Sequence, residues 1–69
     1  MVFDATIAFV DRFAVVTLTN ADGQWAGGGT VTVASGKRDD LYVEGWRLAA
    51  FTAQAKGGRL DRYRVAPSV

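Results

Sequence analysis

Residues 41–65 read LYVEGWRLAAFTAQAKGGRLDRYRV, and how they fold decides the architecture. The stretch holds Trp46, Tyr42, Tyr63, Phe51 and five of the eight basic residues. Two apolar runs meet in it across Lys56-Gly57-Gly58-Arg59. The second run, Arg59 to Val65, alternates and predicts a strand. Leu60, Arg62 and Arg64 would face one way, and Arg59, Asp61, Tyr63 and Val65 the other. The first run is ambiguous. Leu41 to Trp46 favours strand by residue type. Arg47 to Lys56 favours helix by propensity, and Gly57 suits the position just past a helix end. Wound as a helix from Leu41, the run gathers Glu44, Arg47 and Gln54 into one polar stripe. Gly45 opposes the helix by about 1 kcal/mol relative to alanine. The balance favours strand over 47–55, with one short helix within 47–56 as the alternative.

Upstream, residues 2–10 read VFDATIAFV. Apolar and aromatic residues at odd positions, Phe3, Ala5, Ile7 and Phe9, predict a strand with that side to the core. Residues 13–19, FAVVTLT, repeat the pattern with Val16 and Leu18 on one face. Asp11-Arg12 between them makes either a hairpin turn or a bulge in one long strand. Residues 20–29, NADGQWAGGG, carry turn chemistry in Asn20, Asp22 and Gly23 and then three glycines around a loop tryptophan, Trp25. Those glycines either make the loop pliant or let another backbone approach closely. Thr30 to Ala34 predicts a short strand, and Ser35 to Asp40 a polar turn. The sum is one domain over residues 1–69, mainly β, with five to six short strands in a small sandwich or barrel.

At 69 residues the chain buries only about 60% of the surface its unfolded form exposes, so its stability is marginal. It has no cysteine for a disulfide and no histidine for the common zinc sets. With 49% hydrophobic residues, the remaining supports are a dense core or self-association, and a homodimer is expected. Net charge is only +1, but it is unevenly spread. Residues 1–35 set Arg12 against three aspartates, a net −2, while residues 36–69 set seven basic against four acidic side chains, a net +3. No run of 18 apolar residues is present, and the start lacks a basic leader region, so a cytoplasmic location is expected.

Enzyme chemistry finds little support. Nucleophilic triads need a base that histidine usually provides. A Ser-Lys pair from Ser35 or Ser68 with Lys37 or Lys56 would draw on serines in turn-like or terminal segments. Asp39 and Asp40 are adjacent, which suits a turn or helix N-cap better than an acid/base pair. Neither a calcium loop nor a phosphate-cradling loop is spelled out, so no metal or cofactor is expected. Binding candidates remain. Arg62 and Arg64 on one strand face lie about 7 Å apart, and Arg47, Lys56 and Arg59 are placed to join them. Basic side chains beside a ring such as Tyr42 suit single-stranded nucleic acid. The plain alternative is a solvated face whose arginine stems cover apolar surface. Trp25 with Gly27 and Gly28 is a candidate protein-binding loop, since tryptophan is enriched at hot spots, or simply a lid on the core. Trp46 reads as core.

From Val15 to Val65 the chain resembles the WYL domain family in outline. The residues carrying the likeness are Val16-Thr17-Leu18-Thr19, Ala21-Asp22-Gly23, Thr30 to Val33, Leu41 to Trp46 and the closing Arg59 to Val65. The resemblance implies a small SH3/Sm-like antiparallel barrel and a role in binding nucleic acid or a nucleotide in transcriptional control or phage defence. It points to Arg59, Arg62 and Arg64, with Tyr42 as a stacking ring. Unlike that family, the chain carries no helix-turn-helix, and residues 2–10 have no counterpart in it. The expected function is a non-enzymatic binding module for nucleic acid. The alternatives are a phage or mobile-element type protein that binds a host protein complex through the Trp25 loop or a sheet edge, and a structural subunit of a homo-oligomer.

Overall fold

The computed structural model describes residues 1–67. Their chain order is β1 (Val2–Val10), β2 (Phe13–Thr19), β3 (Trp25–Thr32), α1 (Arg38–Ala55) and β4 (Arg59–Val65). The strands form one sheet in the order β3-β2-β1-β4. The three N-terminal strands are a meander of antiparallel pairs, and β4 returns parallel to β1. The fold is thus mainly β, but the expected barrel of five to six strands is not what forms. Among the described residues there are four strands in an open sheet, with one helix laid across one face.

The meander follows the alternation. Phe3, Ala5 and Ile7 of β1 and Ala14, Val16 and Leu18 of β2 are buried under the helix. Asp11-Arg12 closes a two-residue hairpin, with Val10 opposite Phe13 and Asp11 at φ 54°. Asn20 organises the second turn. Its Oδ1 accepts the backbone N–H of Asp22 at 2.9 Å and of Gln24 at 3.0 Å, and Gly23 takes φ 78°. The segment expected to be a loop around Trp25 is already strand, because β3 pairs with β2 from Trp25 onwards. The glycines serve close approach. A Cβ on Gly29 would sit 3.1 Å from Leu48 Cδ2, and one on Gly28 only 2.3 Å from the Val16 carbonyl oxygen.

The largest correction falls on residues 38–55. They are helix throughout, so neither the strand over 47–55 nor a helix confined to 47–56 describes them. The buried positions are Leu41, Gly45, Ala49 and Ala53, an i, i+4 stripe of mostly small side chains. Gly45 is where helix and sheet come closest. An added Cβ there would lie 2.6 Å from Ile7 Cδ1 and 2.6 Å from the Tyr63 hydroxyl. Asp39 and Asp40 occupy the first turn, where negative charge suits the helix dipole. Ser35 Oγ bridges into that turn, accepting the Lys37 N–H at 3.2 Å and donating to Asp40. At the other end Gly57 takes φ 79°, its N–H reaching the Gln54 carbonyl, while the Gly58 N–H reaches the Ala53 carbonyl. This pair of bonds is a Schellman cap and ends the helix as Gly57 predicts.

Candidate functional site

Helix α1 covers one side of the sheet, and among the described residues nothing covers the other. On the bare side the register aligns side chains into rows. Trp25 stands opposite Thr19, Thr19 opposite Asp4, and Asp4 opposite Arg62. The next row runs Gly28, Thr17, Thr6, Arg64. Thr30, Val15 and Ala8 follow, then Thr32, Phe13 and Val10. The four strands make a platform about 14 Å across, from strands about 4.8 Å apart. Its middle is threonine, valine and alanine with one carboxylate, Asp4, next to Arg62; its β4 margin carries two guanidinium groups, and its β3 margin carries a tryptophan that is 73% exposed.

A bulge in β4 sets the arginines. The pairing of β4 with β1 shifts between Phe3 and Asp4, so Leu60 lies opposite Phe3 and Arg62 opposite Asp4. Asp61 is the extra residue. Leu60 therefore joins Tyr63 on the helix side, where both pack against the core, instead of joining Arg62 and Arg64 as strict alternation predicts. Arg62 and Arg64 are exposed and form no ion pair among the described residues. Arg59 is exposed too, but its guanidinium lies 3.8 Å from Asp61. A second bulge, between Leu18 and Thr19, turns Ala26 towards the core and leaves Trp25 on the bare side.

The remaining predicted residues belong to the helix layer. Arg47 lies on the outer surface of α1, 3.4 Å from Glu44. Lys56 is the helix C-cap, and its Cε lies 3.3 Å from where a Cβ on Gly27 would be. Tyr42 packs on Tyr63, ring centroids 4.8 Å apart, and the Tyr63 hydroxyl donates to the Tyr42 carbonyl at 2.7 Å. Burial first, then the neighbouring Tyr42, pushes the Tyr63 phenol from 10.0 up to about 12. The six nucleic-acid candidates therefore split: Arg62 and Arg64 share the bare face, Arg59 sits before the bulge beside Asp61, and Tyr42, Arg47 and Lys56 lie across the sheet from the first two. Of the protein-binding candidates, Trp25 and Gly28 lie in the bare-face rows, and Gly27 turns towards the helix.

Trp46 is half exposed rather than core, lining a groove with Ala50, Leu60 and Tyr63 between α1 and β4. Arg38, not singled out by sequence, has its guanidinium 4.5 Å above the Phe9 ring. The threonines and Val15 of the bare face were likewise missed. Their signal was present in the even positions of β1 and the odd positions of β2, since one helix cannot cover two faces. Ser35 is held by its bond to Asp40, a local structural role, and Ser68 lies outside the described residues. Among the described residues no three carboxylates come together as a metal site, and no helix is long and apolar enough to cross a membrane. The chain matches no family model, no curated protein and no solved structure.

Proposed function

We propose that this chain is a non-enzymatic binding module whose bare sheet face takes single-stranded nucleic acid. The observation that carries the reading is the placement of Arg62, Arg64 and Trp25 on one uncovered face, with Thr6, Thr17, Thr19 and a single carboxylate, Asp4, between them. Phosphates lie along the β4 margin, on arginines two residues and about 7 Å apart. Bases extend over the sheet towards Trp25, since a flat ring stacks on any base regardless of sequence. Threonine hydroxyls add hydrogen bonds without demanding one base. Low net charge limits the long-range pull, so affinity is modest and local.

The test is fluorescence polarisation of a labelled oligonucleotide over a salt series. Binding should weaken linearly in log-log form, and Arg62→Ala with Arg64→Ala should flatten the slope by about 1.4, from about 0.7 per lost phosphate contact on a single strand. No binding at low salt overturns the reading. A second reading is capture of another protein through the Trp25 margin, favoured by the exposure of that ring. Trp25→Ala abolishing a nuclease-resistant pull-down, with the arginine variant still active, would select it.

A further inference from the structure

We propose that the free edge of β3 is where a second copy of this chain adds, β3 against β3 in antiparallel fashion, extending the sheet to eight strands. The sheet has two free edges, β3 and β4, and they differ in kind. Natural edges are blunted by charge and by bulges. β4 has both: Arg59, Asp61, Arg62 and Arg64, and the irregularity at Asp61. β3 has neither over most of its length. No charged residue occurs from Gln24 to Gly36, and its bulge is confined to the start, leaving Gly27–Thr32 in regular pairing.

The most exposed aromatic ring stands at this same edge: Trp25, 73% exposed, begins β3 on the bare side. Exposed apolar area of this kind marks a surface that another molecule covers.

The strand is also complementary to itself. Gly27-Gly28-Gly29 is followed directly by Thr30-Val31-Thr32. In a two-fold antiparallel pair centred on Thr30, Val31 falls opposite the second copy's Gly29 and Thr32 opposite its Gly28. Centred on Gly29, Thr30 falls opposite Gly28 and Val31 opposite Gly27. Either way two of the three branched side chains meet glycines, the third meeting the second copy's Thr30 in the first register and its Ala26 in the second, and no like charges meet. An isologous contact requires this self-match. An unrelated partner strand would need no such match. The inference stands whatever the bare face binds.

Sedimentation equilibrium tests it. The chain should show twice its monomer mass at high micromolar concentration. Thr30→Glu, which places two like charges at or beside the axis from an exposed position, should return it to monomer with an unchanged far-UV circular dichroism spectrum. Val65→Glu, on the opposite edge, should leave the dimer intact. In the unsubstituted chain, amides within 27–32 should gain hydrogen-exchange protection with concentration while those within 59–65 do not, and this reading holds even if a variant fails to fold. A monomer at millimolar concentration, a dimer that survives Thr30→Glu, or protection gained only at 59–65 would each overturn the proposal. Monomeric chain that instead takes up a different protein at this edge overturns it as well.

Discussion

A methyl group at position 45 would sit 2.6 Å from both Ile7 Cδ1 and the Tyr63 hydroxyl. Helix propensity alone favours alanine over glycine there by about 1 kcal/mol. Overpacking a core contact costs about 1–3 kcal/mol and works against it. Gly45→Ala should therefore lower the urea midpoint, and a raised midpoint would show that the helix can lift off the sheet cheaply. Tyr63 makes a second residue-scale prediction. Its pKa is raised to about 12 in the fold against 10.0 when unperturbed, so folding favours the neutral phenol. That contribution is fully present below about pH 10 and is lost as pH climbs towards 12, because the unfolded chain gives up its proton first. Tyr63→Phe should flatten the fall in stability across that window. It should also cost about 1 kcal/mol at neutral pH from the lost bond to the Tyr42 carbonyl. Equal pH profiles for the two proteins would show that the phenol does not titrate differently in the fold.

At the scale of elements, α1 explains why part of the fold was illegible in the sequence. A surface helix usually announces itself by large apolar residues facing inward at i, i+3 and i+4. Here the inward stripe is Leu41, Gly45, Ala49 and Ala53, while Tyr42, Val43, Trp46 and Phe51 are exposed. With large side chains out and small ones in, the amphipathic signal is nearly erased, and LYVEGW reads as strand. Strands β1 and β2 were legible because each buries one face only, so the alternation survives. The end of the helix was legible too, since Gly57 at φ 79° is a position other residues resist. Gly57→Ala should cost about 1 kcal/mol or slightly more, measured by denaturant unfolding, and no cost would mean that the cap is dispensable. In β4, strict alternation predicted Arg62 and Arg64 together, correctly, but the bulge at Asp61 was invisible. It moves Leu60 to the core side and leaves the arginines on the bare face.

At the scale of the molecule, among the described residues a single helix on a four-stranded sheet leaves one sheet face without a layer over it. The paired register brings Trp25, from the segment expected to be a loop, into line with Arg62 from the closing strand, a relation that neither segment's own sequence contains. The basic stretch was legible as a candidate. Its partition was not, because Tyr42, Arg47 and Lys56 move to the other side once residues 38–55 wind into a helix. The most direct test of the bare face as the binding surface is a nuclear magnetic resonance titration of the labelled chain with a short oligothymidine. Shift changes should concentrate on Thr6, Thr17, Thr19, the Trp25 indole, Arg62 and Arg64. Changes confined to α1 around Arg47 and Trp46, or no changes at low salt, would contradict the account.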